Sequence, residues 1–185
     1  MEGDADYNQK VAEFKRKLKS YPDFPKKGIL FWDIFSAISD GSTCKLLQGL
    51  LLQVIRAKFP QTEAIVGLES RGFLFSFSLA MDLGVGCLPV RKKGKLPGEV
   101  VSCKYDLEYG TDILEIQKNA IRPGQKCLIV DDLIATGGSI TAATNLLKSC
   151  GAEVVGCLVV MELNSLNGRK NIPNDVPVHS LVTFD

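Results

Sequence analysis

Residues 127–140 read Cys-Leu-Ile-Val-Asp-Asp-Leu-Ile-Ala-Thr-Gly-Gly-Ser-Ile: an apolar run, two acids and a turn of small residues that leads into a helix. The apolar run is typical of a strand that is buried on both faces of a sheet. Gly137 and Gly138 allow successive backbone N–H groups to point at one anion, and Thr136 and Ser139 add hydroxyl donors. The following helix directs the positive end of its dipole to the same place. The stretch therefore predicts a phosphate site at the carboxyl end of a central strand.

Asp131 and Asp132 stand directly before this turn. Two carboxylates aimed at a phosphate would repel it, so we expect them to accept hydrogen bonds from the hydroxyl groups of a sugar. The glycine spacing matches neither the G-x-x-x-x-G-K loop nor the G-x-G-x-x-G dinucleotide fingerprint. The alternative is a plain strand–turn–helix in which Thr and Gly only form the turn. The apolar strand and the acidic pair in front of it favour the phosphate site.

Outward from this stretch, apolar strands alternate with helices, which predicts an α/β fold with a Rossmann-like central parallel sheet flanked by helices. Ligands are then expected beyond the carboxyl ends of the strands. The predicted strands cover residues 64–68, 85–90, 127–130 and 154–161. The predicted helices cover residues 73–84 and 140–150, together with one that begins at an N-cap Ser42 and stops near Pro60.

Two parts of the chain depart from this pattern. Near the N-terminus, a stripe at helical spacing predicts a short amphipathic helix that carries Val11, Phe14, Leu18 and Tyr21. We expect one domain, 1–185, with a small N-terminal hood over about residues 1–35. Residues 91–113 begin as a basic, glycine-containing stretch and become more strand-like over 100–109. An excursion of this length between two strands is often an active-site lid, so we predict a flexible lid there.

Composition limits the class of protein. The chain has 185 residues, 45% hydrophobic and 23% charged, which is enough apolar material for one core and excludes a disordered chain. A formal charge of +1 provides no global field for nucleic acid, so small anionic ligands are favoured. Six cysteines without a C-x-x-C pair, and a single histidine, argue against a zinc site. With no apolar signal segment and no long apolar run, we expect a cytoplasmic protein that does not contact membranes.

The strand, acidic pair and Ala-Thr-Gly-Gly-Ser turn resemble the loop that binds phosphoribosyl diphosphate (PRPP) in type I phosphoribosyltransferases. Four further segments resemble adenine-using members of that family, in order along the chain: Tyr-Pro-Asp-Phe-Pro at 21–25, Glu-Ser-Arg-Gly-Phe at 69–73, Arg-Lys-Lys-Gly-Lys-Leu-Pro-Gly at 91–98 and Leu-Glu-Tyr-Gly at 107–110. The likeness runs from about Ser20 to the C-terminus. It implies transfer of the phosphoribosyl group from PRPP to adenine, giving AMP and diphosphate, as in purine salvage.

The resemblance also implies roles for residues around PRPP. The 5′-phosphate would be bound by Ala135, Thr136, Gly137, Gly138 and Ser139, and the ribose 2′ and 3′ hydroxyls by Asp131 and Asp132. The diphosphate would be bound by a loop of Glu69, Ser70 and Arg71, which in this family often contains a cis peptide, and by Arg91, Lys92 and Lys95 from the lid. Mg²⁺ is expected to be held mainly by PRPP oxygens and water, since magnesium dehydrates reluctantly.

For the reaction itself, the resemblance implies that Glu108 and Tyr109 approach the reacting atoms, with Glu108 managing a proton on the purine as N9 attacks. The base would be bound by Leu30, Trp32, Leu133 and Leu163. At Trp32 many family members carry an Arg, so an aromatic ring replaces a cation there. The family likeness further implies a homodimer, with Arg91 near the subunit boundary.

Two other functions remain open from the sequence. The phosphate turn and the acidic pair do not distinguish adenine from another base such as hypoxanthine or guanine. The change at Trp32 also keeps open a PRPP-binding or nucleotide-binding protein with little turnover. Retention of Glu108 and of the basic lid argues against the second reading. The lone His179 is interpreted as a surface or packed imidazole.

Overall fold

The computed structural model describes residues 2–107 and 110–185 of the chain. It divides into two compact units, Met1–Gln53 and Val54–Asp185. No helix in the described ranges is long and apolar enough to cross a membrane.

The first unit contains a helix, a two-stranded hairpin and two further helices: α1 (Glu2–Lys17), β1 (Lys19–Pro22), β2 (Leu30–Asp33), α2 (Ile34–Ile38) and α3 (Gly41–Lys58), the last of which continues into the second unit. The hairpin strands are antiparallel, with Tyr21 opposite Phe31. At one end of α2, the Asp33 carboxylate accepts the N–H groups of Phe35 at 3.0 Å and Ser36 at 3.1 Å. This cap fixes where the chain turns from strand into helix.

Two predictions for this unit need correction. Phe14 and Leu18 are buried as the stripe predicts, but Tyr21 lies in β1 with 47% of its surface exposed. The helix ends at Lys17, so Leu18 and Tyr21 both lie beyond it and their apparent helical spacing is fortuitous. The start of α3 is capped by Asp40 and not by Ser42: the Asp40 carboxylate accepts the Thr43 N–H at 2.9 Å. Hydrogen bonds from the Ser42 and Thr43 side chains are the main reason that the pKa of Asp40 falls to about 2.

The second unit is built on one seven-stranded sheet in the order β5-β6-β4-β3-β7-β8-β9. Its strands are β3 (Ala64–Leu68), β4 (Gly86–Lys92), β5 (Val100–Leu107), β6 (Gly110–Gln117), β7 (Lys126–Ile134), β8 (Glu153–Leu163) and β9 (Val178–Phe184). Five neighbouring strands of this sheet, β4-β3-β7-β8-β9, are parallel, which confirms the central parallel sheet. Strand β9 was not predicted from the sequence.

Strands β5 and β6 make the sheet mixed. They form an antiparallel hairpin, and β6 pairs antiparallel with the end of β4, Arg91 opposite Glu115. The predicted lid, residues 91–113, therefore contains the end of β4, a loop, all of β5 and the start of β6. The alternating residues Val101, Cys103 and Tyr105 pack against the core, because side chains two apart in a strand share a face.

Two helices of this unit follow the predicted pattern: α4 (Phe73–Leu83) and α5 (Gly138–Ser149). Gly84 ends α4 with φ 68°, a conformation that favours glycine. Three apolar residues of α4 remain exposed at helical spacing: Leu74 at 47%, Phe77 at 63% and Met81 at 66%. These three residues, here called the α4 stripe, form an apolar surface without cover within the described chain.

Candidate functional site

A cleft of about 600 Å³ opens at the carboxyl ends of β3 and β7, where the sequence predicts the site. It brings together most of the predicted residues from distant parts of the chain: Glu69, Ser70, Arg71, Lys92, Lys95, Asp131, Asp132, Leu133, Ala135, Thr136, Gly137, Gly138 and Ser139. Tyr105 and Asp112 of the β5–β6 hairpin form another part of the wall. The cleft is therefore polar, with acids and bases at close range.

The turn between β7 and α5 forms one wall of the cleft. Gly137 adopts φ 81°, and no side chain caps the helix that begins after it. In the described ranges, the main-chain N–H groups of Thr136, Gly137 and Gly138 donate no hydrogen bond to a main-chain carbonyl of a turn, loop or cap. Unpaired N–H groups at a helix start are suited to bind an anion. The geometry agrees with the predicted phosphate site.

Asp131 and Asp132 lie side by side at the end of β7. Burial, reinforced by the neighbouring Asp132 carboxylate, raises the pKa of Asp131 well above its usual range. Burial also raises the pKa of Asp132, although Arg71 opposes this effect. Arg71 Nε lies 2.6 Å from Asp132 Oδ2 in an ion pair, and Asp131 Oδ1 accepts the Asp132 main-chain N–H at 2.9 Å. A carboxylate can accept several hydrogen bonds, so the pair can accept further donors from a sugar diol.

The loop after β3 begins with a cis peptide bond between Glu69 and Ser70, as the family resemblance implies. The Glu69 carboxylate accepts hydrogen bonds from Arg91 Nε at 3.2 Å and from the Lys92 N–H at 3.0 Å, and it pairs with Lys95 Nζ at 2.5 Å. Burial opposes ionisation of Glu69, but these three donors outweigh it and lower its pKa to about 2. Two of the three diphosphate-binding cations predicted in the lid, Arg91 and Lys95, are thus held by one carboxylate.

The third cation, Lys92, pairs with Asp112 at 3.0 Å. Asp112 Oδ2 also lies 3.5 Å from the Tyr105 hydroxyl, and Tyr105 and Ser139 of the phosphate turn line the same cleft. Neither Tyr105 nor Asp112 is predicted from the sequence as a site residue, because the strand-like residues 100–109 were interpreted as part of a lid. The alternation of Val101, Cys103 and Tyr105 is the signal that could have found the strand, and with it Tyr105.

The remaining predicted residues are more dispersed. Leu133 lines the cleft, whereas Leu163 ends β8 and is not among the residues of its wall. Leu30 and Trp32 lie in β2 of the first unit. Glu108 and Tyr109 lie outside the described residues. No group of three His, Cys, Asp or Glu side chains in the described ranges is placed to hold a metal ion.

Comparison with known proteins gives three consistent findings. A model of the phosphoribosyl transferase domain matches residues 38–179. The chain is 56% identical, over 175 residues, to an adenine phosphoribosyltransferase of Drosophila pseudoobscura pseudoobscura, which covers 95% of this chain and 96% of the relative. It is also similar to a crystal structure of adenine phosphoribosyltransferase from Saccharomyces cerevisiae in complex with an imino-altritol bisphosphate and adenine: TM-score 0.89, 46% identity, 95% of this chain and 99% of that chain.

Proposed function

This chain belongs to the phosphoribosyl transferase family, and on that premise we propose that it transfers the 5-phosphoribosyl group of PRPP to adenine, giving AMP and diphosphate. The observation that carries the proposal is the uncapped turn at Gly137 directly beside the buried acidic pair at the end of β7. This juxtaposition suits a sugar phosphate. Near full-length likeness to adenine phosphoribosyltransferases supports adenine as the base. The reaction is a step of purine salvage.

The turn binds the 5′-phosphate of PRPP through the main-chain N–H groups of Thr136, Gly137 and Gly138, with the Ser139 hydroxyl as a further donor. Asp131 and Asp132 accept hydrogen bonds from the ribose 2′ and 3′ hydroxyls. These O–H donors favour the ionised carboxylates, which burial otherwise disfavours. Binding of the sugar and ionisation of the acidic pair therefore support each other.

The leaving diphosphate is bound on the opposite side of the cleft. Breaking the bond between the anomeric carbon and diphosphate builds positive charge on the ribose and negative charge on the leaving group. Main-chain N–H groups of Ser70 and Arg71 and the side chains of Lys92 and Lys95 stabilise that negative charge. Glu69 supports this role, because its carboxylate holds Lys95 and the Lys92 main chain against the cleft wall.

Mg²⁺ is the cofactor in this proposal. It prefers oxygen ligands and retains water, so PRPP oxygens and water would hold it, with Asp131 and Asp132 as the carboxylates that line the same cleft. When bound, the ion neutralises charge on the departing diphosphate.

Glu108 is the proposed proton acceptor at the purine, with Tyr109 beside the reacting atoms. Both assignments rest on the Leu-Glu-Tyr-Gly motif at 107–110. Leu133 forms an apolar wall for the base, whereas the proposed adenine-binding roles of Leu30, Trp32 and Leu163 rest on the family resemblance alone. The indole ring of Trp32 is suited to stack on the base or on a neighbouring ring, but it cannot make the charge-assisted contacts of the Arg that many family members carry there.

Two copies of the chain form the proposed homodimer. The α4 stripe supports this proposal, because Leu74, Phe77 and Met81 present an apolar surface that a second copy would remove from water. The six cysteines are all free thiols, which supports a reducing cytoplasm as the site of action.

One assay tests the function directly. Incubation of the purified protein with PRPP, Mg²⁺ and each purine or pyrimidine base in turn is expected to yield nucleotide with adenine and little with the others. Gly137→Glu serves as the inactive control, since a carboxylate in the phosphate turn repels PRPP. Preferential conversion of another base would overturn the assignment of adenine. Absence of nucleotide with every base would overturn the proposal that the protein is a phosphoribosyltransferase enzyme.

A further inference from the structure

The connection after β8 lies directly behind the phosphate turn. Its short 3-10 turn, Gly168–Asn171, is here called the brace. The Asn171 side-chain amide donates a hydrogen bond of 2.8 Å to the Thr136 carbonyl. Thr141 Oγ1 lies 2.8 Å from the Asn171 carbonyl and 2.9 Å from the Gly137 carbonyl, so its single proton is shared between brace and turn. The turn is therefore bonded to the brace on the side away from the cleft.

Gly168 brings the brace into direct backbone contact with the turn. A Cβ atom at Gly168 would lie 2.2 Å from the Ala135 carbonyl oxygen and 3.0 Å from the Gly137 nitrogen, distances that only the absence of a side chain allows. In the other direction, a Cβ at Gly137 would lie 2.3 Å from the Gly168 carbonyl oxygen. Two glycines thus pack against each other where turn and brace meet.

These contacts decide which way two peptide groups face. The carbonyls of Ala135 and Thr136 point toward the brace, at Gly168 and Asn171 respectively. In a trans peptide the C=O and the following N–H point in opposite directions. The N–H groups of Thr136 and Gly137 are consequently directed away from the brace, and these are the groups that the proposed phosphate contact requires.

The brace itself is anchored to the sheet. Arg169 pairs with Glu162 of β8 through Nε at 2.7 Å and a terminal nitrogen at 2.6 Å. It also donates to the Val178 carbonyl of β9 at 2.8 Å. Glu162 is buried and its pKa is lowered, mainly by Arg169. A two-point pair of this kind gives the brace a fixed position from which to hold the turn.

We propose that Gly168 and Asn171 are positioning residues for the 5′-phosphate: they orient the N–H groups of the turn without contacting the substrate. The inference rests on the proposed function, because it takes the turn as the phosphate site of PRPP. It assigns a role in that site to a segment more than 25 residues farther along the chain, none of whose residues lines the cleft.

Asn171→Ala tests the proposal by removing one hydrogen bond to the Thr136 carbonyl. We expect KM for PRPP and the dissociation constant of AMP to rise about fivefold, which corresponds to about 1 kcal/mol. We expect kcat and KM for adenine, which has no phosphate, to stay within about twofold of wild type. The matched control is Asn164→Ala in the same connection, whose side chain bonds to Asp185 and not to the turn. It should change none of these constants.

Gly168→Ala provides a second, larger perturbation, since the added methyl group forces the turn to move. Its AMP affinity is expected to fall by more than tenfold at unchanged circular dichroism. An Asn171→Ala protein that binds AMP within twofold of wild type would overturn the proposal. An equal rise in KM for PRPP and in KM for adenine would also overturn it, because that result would indicate a general loss of structure in the cleft. A wild-type protein that binds AMP but does not convert adenine would refute the proposed reaction alone, and the AMP titrations would still test the brace.

Discussion

Replacing Gly137 with Ala perturbs the phosphate turn at its most constrained point. Gly137 has φ 81°, and an added Cβ would lie 2.3 Å from the Gly168 carbonyl oxygen, where real Cβ contacts stay beyond 3.0 Å. One of the two backbones must therefore move by about 0.7 Å or more. The left-handed conformation alone costs a non-glycine residue about 1–2 kcal/mol.

The matched control is Gly151→Ala at the opposite end of α5. Gly151 has φ 80°, but its added Cβ would meet only Pro123 at 3.8 Å, an ordinary contact. Both variants are expected to lose about 1–2 kcal/mol of unfolding free energy from the backbone conformation. Only Gly137→Ala should also displace the main-chain N–H groups that we propose bind the phosphate.

The assay is steady-state kinetics with PRPP varied at saturating adenine, beside urea denaturation of both variants. A displacement of this size at a binding site lowers kcat/KM by on the order of 100-fold. We therefore expect about that loss for Gly137→Ala and less than a twofold change for Gly151→Ala. Equal kcat/KM for PRPP in the two variants, at similar stability, would refute the assignment of the turn as the phosphate site.

Four further predictions concern other parts of the molecule. Glu108→Gln is expected to lower kcat by about 100-fold with little change in the dissociation constant of PRPP, because proton transfer occurs in the transition state; single-turnover kinetics and calorimetry separate the two. Asp131→Asn should abolish most activity but raise the midpoint of thermal unfolding at pH 7. Burial raises the pKa of this carboxyl, so its ionised form destabilises the fold. The gain in stability should therefore shrink as the pH falls toward 5. Glu69→Gln should lose stability at pH 7, and the difference from wild type should disappear as the pH falls from 4.5 toward 2, the range between the ordinary and the lowered pKa, as urea denaturation at each pH would record. Phe77→Ser should shift a dimer toward monomer in sedimentation velocity, and an unchanged sedimentation coefficient would remove the α4 stripe from the interface.

The parts of the fold that were predictable from sequence are those in which local pattern and tertiary burial agree. Residues 64–68 form an apolar run and are buried throughout as β3, and the acidic pair with its turn stands where β7 passes into α5. Gly84 ends α4 because a left-handed residue at that place favours glycine. Such elements need no knowledge of distant partners.

The unpredicted parts depend on partners far away in the chain. Strand β9 contains the polar residues His179, Ser180 and Thr183, and only pairing with β8 along its whole length makes it a strand. The β5–β6 hairpin likewise depends on its pairing with β4. The brace was missed for the same reason: Gly168 and Asn171 follow no local pattern, and their contacts with the turn exist only once β8 has carried the chain back across the sheet.

The carboxylates on the cleft wall have a consequence for the binding and release of diphosphate. Lys95 and Lys92 are already paired with Glu69 and Asp112. A diphosphate bound as proposed would therefore replace these carboxylates as the partner of the two lysines. Such an exchange would limit the affinity for the diphosphate product, because the two lysines re-form their ion pairs with Glu69 and Asp112 when diphosphate leaves. Between turnovers, each lysine would thus remain paired with a carboxylate of the protein itself.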